Sequence, residues 1–468
     1  MSPETPLRVA IVGAGPAGFY AAGRLLAAGD GVRVDVLDRL PTPFGLVRAG
    51  VAPDHPKIKS VVRVFEKTAA KPGFRFLGGV ELGRDVHRSE LRERYHAVLY
   101  AVGAATDRRL GIPGEDLPGS EAATAFVGWY NGHPDHPDRE FDLDVERAVV
   151  IGNGNVALDC ARMLALGSEE LHASDAADHA LDVLASATLR EIVIAGRRGP
   201  AQAAFTNPEL LELGELQLAD VVVDPADVRL DPASQAWLDS GAADATARRN
   251  VEILRDYAAR QPAGRARRIA LRFCLSPVEI RGDGRVEEIV LERNRLEPGA
   301  DGRIVARPTG ERETVPCGLV LRSIGYLGVP IPEVPFDERR GTVPNVAGRV
   351  VDGEHHLTGE YVAGWIRRGP SGVIGTNKKC GQEAAASLLE DATAGLLDAP
   401  ARDDDLADLL AARGVHPVGW EGWRRIDEHE TRRGESAGRP RVKLARYEEL
   451  HAVARNGAGA ADRSGDRS

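Results

Sequence analysis

The chain is poor in cysteine. Its 468 residues hold four, Cys160, Cys274, Cys317 and Cys380, and no two of them stand in a C-x-x-C pair. This spacing argues against a dithiol redox centre, an iron–sulfur cluster of the chain's own and a structural zinc of the usual kind. The thiols read as buried residues of a protein from a reducing compartment. No apolar run reaches the length of a membrane span. Residues 1–6 have neither the basic stretch nor the apolar stretch of a secretory signal. The net charge of −10 leaves no basic excess, so nucleic acid is not expected as the main partner. The expectation is a monomeric cytoplasmic protein without a transmembrane segment. With 43% hydrophobic and 28% charged residues it falls in the globular class, and its length allows two or three domains.

What the chain does have is glycine at two telling places. Leu7 to Val12 is a near-continuous apolar run, as a strand buried on both faces requires. Gly13, Gly15 and Gly18 follow in G-x-G-x-x-G spacing, then a helical stretch from Phe19 to Leu26, then a strand from Arg33 to Leu37 ending at Asp38. In this arrangement the first glycine makes a tight turn. The second lets a pyrophosphate approach the backbone, and the third lets helix and strand pack closely. The helix N-terminus offers free amides and a positive dipole end to phosphate. Asp38 can accept hydrogen bonds from the hydroxyls of an adenosine ribose.

The pattern recurs. Ala148 to Ile151 leads into Gly152, Asn153, Gly154, Asn155, Val156 and Ala157, a G-x-G-x-x-A turn, with a helix from Leu158 to Leu166 and a strand from Glu191 to Ala195. This second strand ends not in an acid but in Gly196-Arg197-Arg198. Guanidinium groups suit the 2′-phosphate of NADP. One turn with an acid and one with a basic pair imply an FAD site and an NADP site in one chain, hence electrons passing between nicotinamide and flavin.

The predicted architecture is α/β, two Rossmann-like dinucleotide-binding domains in a glutathione-reductase-like arrangement. The FAD domain is expected over 1–107 and again over 328–455, the latter with a C-terminal helical satellite. The NADP domain is inserted over 108–327, and 456–468 is expected to be a disordered tail. Helix is predicted for His172 to Ala187 and for Ala245 to Arg260, and a hairpin around Gly282-Asp283-Gly284. Pro43 to His55 is dense in proline and glycine yet apolar, which suggests a loop packed against a ligand. Arg265, Arg267, Arg268 and Arg272, with Arg248 and Arg249, form a basic cluster that could receive an acidic partner.

Five stretches together resemble a known family. They are GAGPAGFY from Gly13, PFGLVRAGVAPDH from Pro43, GNGNVALD from Gly152, GRRGP from Gly196 and GWIRRGPSGVI from Gly364. The chain resembles the adrenodoxin reductase-type ferredoxin–NADP reductases, including their actinobacterial members, from about residue 7 to about residue 450. The resemblance implies FAD held by Ala17, Asp38, Leu46, Leu82, Trp365 and the run Gly372, Val373 and Ile374. It implies NADP held by Asn153, Gly154, Asn155, Val156, Arg197, Arg198, Glu209 and Gly372. It gives His55 a proton or hydrogen-bond role near the flavin and Glu209 a role near the nicotinamide. The implied reaction is hydride transfer from NADPH to flavin N5, then two one-electron transfers to a ferredoxin, often for the supply of a cytochrome P450. No metal site is implied. The chain departs from the family near Glu209. Leu211 stands where members carry an arginine, and Pro208 precedes the glutamate, with Asn207 as the expected helix cap. An NADPH-using subunit of a larger complex and a flavin-binding sensor without turnover are the alternatives. The former class carries cysteine-rich cluster domains, which this chain lacks.

Overall fold

The computed structural model describes residues 6–241, 243–299, 303–372 and 374–455. The chain forms two compact units. One holds the chain up to Thr106, Asn131–Asp135 and everything from Tyr326 onward; the other holds Asp107–Tyr130 and His136–Gly325.

The first unit is built on a seven-stranded sheet. At its centre Leu7–Val12 pairs in parallel with Val32–Asp38 on one side and with Ala97–Tyr100 on the other. Phe74–Gly78 extends the sheet beyond Val32–Asp38, and His355–Val362 extends it beyond Ala97–Tyr100, both in parallel. Two short antiparallel strands, Arg349–Asp352 and Asn345–Val346, finish that edge. Alternation along the first strand explains its unbroken apolar run. Val9 and Ile11 enter one core with Phe19, Phe44 and Phe65, while Ala10 and Val12 enter another with Leu77, Tyr100 and Val362. Each fully buried valine or isoleucine there contributes about 1.5–3 kcal/mol.

The second unit repeats the scheme with six parallel strands. In spatial order they are Ser120–Ala122, Leu319–Arg322, Arg147–Ile151, Glu191–Ala195, Arg267–Arg272 and Ala219–Val223. Ala148, Val150, Ile192 and Ile194 face one core; Val149, Ile151 and Val193 face the other. A three-stranded antiparallel sheet of Leu275–Arg281, Glu288–Pro298 and Ile304–Pro316 completes the unit, its first turn at the expected glycines.

Several expectations are corrected. The helix predicted over 172–187 is two helices, Ser168–His172 and Asp178–Ala185. The Ser174 hydroxyl donates to the Leu171 carbonyl and accepts from the Ala176 amide, a local side-chain arrangement that ends a helix. The cap of helix Asn207–Glu212 is Thr206, one residue before the expected Asn207, whose amide instead donates to Thr246 and Asn250. The C-terminal helices are no satellite. Trp420, at the start of helix Trp420–Ala437, packs 5.9–6.3 Å from the rings of Phe19, Phe44, Phe74 and Phe76, and Trp423 and Ile426 of the same helix are buried in the core of the first unit. Residues 456–468, expected to be disordered, lie outside the described residues, as does Val373.

Candidate dinucleotide sites

In the first unit the glycine turn joins strand Leu7–Val12 to helix Pro16–Leu25. Gly13 has φ +112°, and a Cβ there would stand 2.4 Å from the Ala101 carbonyl oxygen, so no other residue fits. A Cβ on Gly18 would meet the Gly13 oxygen at 2.1 Å, which is the close packing of helix on turn. Gly15 is different: a Cβ there would meet nothing within 4 Å. It caps a helix that has no side-chain cap, so the first-turn amides face this open space.

Asp38 ends the second strand beside the turn. One of its oxygens accepts the Ala14 amide at 2.7 Å and the other the Leu40 amide at 2.9 Å. Burial pushes its pKa up, against the pull of these two amides and Arg39. Each carboxylate oxygen keeps a further lone pair. Asp38 therefore fixes the turn before it meets any ligand.

Two remote segments close on the same turn. The Phe44 amide donates to the Ala14 carbonyl at 2.8 Å, and a Cβ on Gly45 would come within 3.1 Å of the Gly15 Cα. Gly364 stands against Ala17, where a Cβ would approach the alanine methyl to 2.8 Å. Leu46 opens the short helix Leu46–Ala49, and buried His55 ends the loop at the start of helix Pro56–Lys59, making no side-chain cap bond. Trp365 begins helix Trp365–Arg368, with its ring 5.2 Å from that of Tyr326. Its indole Nε1 is buried and finds no acceptor among the described residues, although such donors are nearly always paired in a filled structure. Half-buried Leu82 pairs with Val86. Gly372, at φ +80°, is exposed, and Ile374 starts helix Ile374–Thr393.

The second unit repeats the turn between Arg147–Ile151 and helix Asn155–Ala165. Gly152 has φ +136°, and a Cβ there would meet the Ser323 oxygen at 2.1 Å; at Gly154 it would meet nothing. The Asn155 side chain accepts the Thr206 amide at 2.8 Å. Val156 packs partly buried against the core. The Asn153 side-chain nitrogen is buried without a partner. At the end of strand Glu191–Ala195, Arg197 and Arg198 are both exposed, and among the described residues neither pairs with a carboxylate. Partial burial and the charge of Arg197 pull the pKa of Arg198 down. Two adjacent cations without an acid are an incomplete charge arrangement that an anionic phosphate completes. Arg198 opens into a cavity of ≈ 400 Å³ lined also by Thr206, Trp237 and Arg303. Sequence reading missed Trp237 and Arg303, which come from a capped helix and a hairpin far along the chain.

Glu209 is buried in helix Asn207–Glu212. Its carboxylate lies 3.4 Å from the Arg162 guanidinium, which also meets Asp159 at 3.0 Å and Glu212 at 2.8 Å. One buried arginine thus anchors three acids, while Leu211 is 41% exposed.

The basic cluster is largely used within its own unit. Arg267 donates to the carbonyls of Leu164, Leu166 and Ala187. Arg268 pairs with Glu191, Arg272 with Glu313 and Arg265 with Asp220. Arg249 pairs with Glu252, and Arg248 donates to the Leu238 carbonyl. Strand Arg267–Arg272 is internal to its sheet; Arg268 meets Glu191 of the neighbouring strand, while Arg272 reaches Glu313 of the antiparallel sheet. All four cysteines are free; burial raises the thiol pKa values of Cys160, Cys274 and Cys317, the latter two to about 11 and about 12. Cys160, Cys274 and Cys317 therefore stay protonated thiols at neutral pH. No helix among the described residues is long and apolar enough to cross a membrane.

Two largely parallel sheets, each with a glycine turn open to a phosphate, define a protein of the two-dinucleotide class. The family model for pyridine nucleotide-disulphide oxidoreductases matches residues 7–195. The NADPH-ferredoxin reductase FprA of Mycobacterium tuberculosis is 51% identical over 456 residues, covering 95% of this chain and 98% of that protein. The mitochondrial NADPH:adrenodoxin oxidoreductase of Arabidopsis thaliana is 42% identical, covering 96% of each. A solved structure of M. tuberculosis FprA in complex with NADPH matches with a TM-score of 0.90 at 51% identity, covering 96% of this chain and 99% of that one. The chain belongs to the adrenodoxin reductase-type ferredoxin–NADP reductases.

Proposed function

We propose that the chain is an FAD-dependent oxidoreductase that passes electrons between NADPH and a ferredoxin. The observation that carries this is the contrast between two equivalent strand ends. Asp38 closes the first glycine turn, and unpaired Arg197 and Arg198 close the second. The open space at Gly15 and the unpartnered indole N–H of Trp365 fit a flavin dinucleotide. The open space at Gly154 and the orphaned amide of Asn153 fit NADP.

FAD would be held by Ala17, Asp38, Leu46, Leu82, Trp365, Gly372, Val373 and Ile374. NADP would be held by Asn153 to Val156, Arg197, Arg198 and Glu209. A flavin bound there would supply the capacity to take up a hydride equivalent and release electrons one at a time. The chain's own residues bind and orient. The amides of helix Pro16–Leu25 neutralise pyrophosphate. Arg197 and Arg198 select the 2′-phosphate. His55 holds or moves a proton at an imidazole nitrogen, and Glu209, oriented by Arg162, receives the carboxamide. The protein works as a monomer in the cytoplasm, and its ferredoxin in turn supplies a cytochrome P450 or another ferredoxin-dependent enzyme.

The test is the cofactor of the purified protein. A yellow protein that releases FAD on heating supports the reading; a colourless one that does not take up FAD contradicts it.

A further inference from the structure

With the Arg265–Arg272 cluster used internally, the acidic partner needs another surface. We propose that the exposed surface of the consecutive helices Pro56–Lys59 and Val62–Ala69 receives the ferredoxin, with Lys57, Arg63 and Lys67 as its cations and Val64 as its apolar centre. This rests on the functional reading above.

Four observations carry it. Lys57, Arg63 and Lys67 are all exposed, and none forms an ion pair with a carboxylate among the described residues. Ser60, Arg63, Val64 and Lys67 recur at helical spacing on one side, while Phe65 and Thr68 are buried on the other. Val64 is 48% exposed and Ile58 39%, so large aliphatic surface sits among the charges, as in the centre of a protein interface. Finally, Lys57 lies two residues beyond His55, at the end of the loop that closes over the Gly13–Gly18 turn. A protein docked here meets the end of the loop that closes over the turn assigned above to FAD. The acid of the stretch, Glu66, feels Asp427, Arg63, Arg441 and Arg424, three of them from the C-terminal segment. On a chain of net charge −10 a local cationic face gives an acidic partner orientation as well as attraction.

The experiment uses the FAD-loaded protein, NADPH and an acidic bacterial ferredoxin coupled to cytochrome c. It compares Lys57→Glu/Arg63→Glu/Lys67→Glu with the unaltered protein. A control triple of equal charge change, Arg281→Glu/Arg295→Glu/Arg307→Glu, is placed on the exposed antiparallel sheet. The expected result is a KM for ferredoxin raised about tenfold in the first triple, with a flatter salt dependence. The control stays within about twofold, and direct ferricyanide reduction by NADPH is unchanged in both, which shows the proteins folded and loaded. A ferredoxin KM unchanged in the first triple, or raised equally by the control, overturns the surface. An unaltered protein that reduces ferricyanide but not ferredoxin overturns the functional reading and the surface with it.

Discussion

The carboxylate of Glu430 takes two nitrogens of the Arg48 guanidinium, at 2.6 and 2.8 Å, across 382 residues of sequence. Glu430 is wholly buried, and Arg48 also stacks 5.3 Å over the Trp423 ring. Arg441 and the Leu444 amide complete the carboxylate's partners, and Lys443 donates to the Arg48 carbonyl. Burial raises the pKa of Glu430, but the two arginines outweigh it and hold the pKa below the usual value. The loop from Phe44 to His55 is thereby tied to the C-terminal helix. Replacing Glu430 with Ala strands a buried guanidinium and is expected to cost about 3–5 kcal/mol. The predicted outcome is a lower Tm and a lower FAD content. Glu430→Met with Arg48→Met recovers most of the Tm. A single variant that melts and holds flavin like the parent would contradict the clamp.

The first glycine turn separates fold from ligand. Ala at Gly13 meets a backbone oxygen and a φ of +112°, so Gly13→Ala lowers the Tm even without flavin. Ala at Gly15 meets only open space. Gly15→Ala therefore melts like the parent when both are stripped of flavin, yet binds FAD at least about tenfold more weakly, because its methyl occupies the approach to the backbone. Thermal melts of the apoproteins and an FAD titration distinguish the two.

Arg197→Ala with Arg198→Ala removes both charges at the second strand end. Each charge-assisted contact is worth about 1.5–3 kcal/mol. The preference for NADPH over NADH in kcat/KM is expected to fall by about tenfold or more, with flavin content unaltered. An unchanged ratio would exclude these arginines from the 2′-phosphate.

Asp135 carries a pH dependence. Burial raises its pKa, but hydrogen bonds from Arg39 and Tyr447 and the charge of Arg39 bring it to about 2, from an ordinary 3.8. A carboxyl with a depressed folded-state pKa stabilises the fold above the unfolded value and loses that contribution as pH falls through the folded one. The contribution is thus full above pH 4 and gone near pH 2. Asp135→Asn is expected to lower Tm at pH 7 and to narrow the gap to the parent between pH 4 and pH 2. A gap independent of pH would show that the pair does not contribute.

The glycine turns, the strand ends and the parallel sheets were legible in the sequence because each is written in contiguous residues with a fixed period. Asp38 and the Arg197-Arg198 pair are found by counting from a glycine. The Arg48–Glu430 clamp was not legible, since nothing local in either segment names its partner. The partners of the arginines around Arg267 were not legible for a related reason. Composition marks them as surface cations, whereas sheet order makes their strand internal and turns them toward carbonyls and acids. The split of the helix predicted over 172–187 turned on one serine hydroxyl bonding its own backbone, which periodicity does not register. The C-terminal helices looked peripheral by position, yet they put Trp423 and Ile426 into the core of the first unit.

The most direct test of the account is anaerobic reduction of the purified flavoprotein by NADPH and by NADH, followed by addition of ferredoxin and cytochrome c. The account predicts bleaching of the flavin that strongly favours NADPH, and cytochrome reduction that requires ferredoxin. Bleaching by NADH as readily as by NADPH, or cytochrome reduction indifferent to ferredoxin, would contradict it.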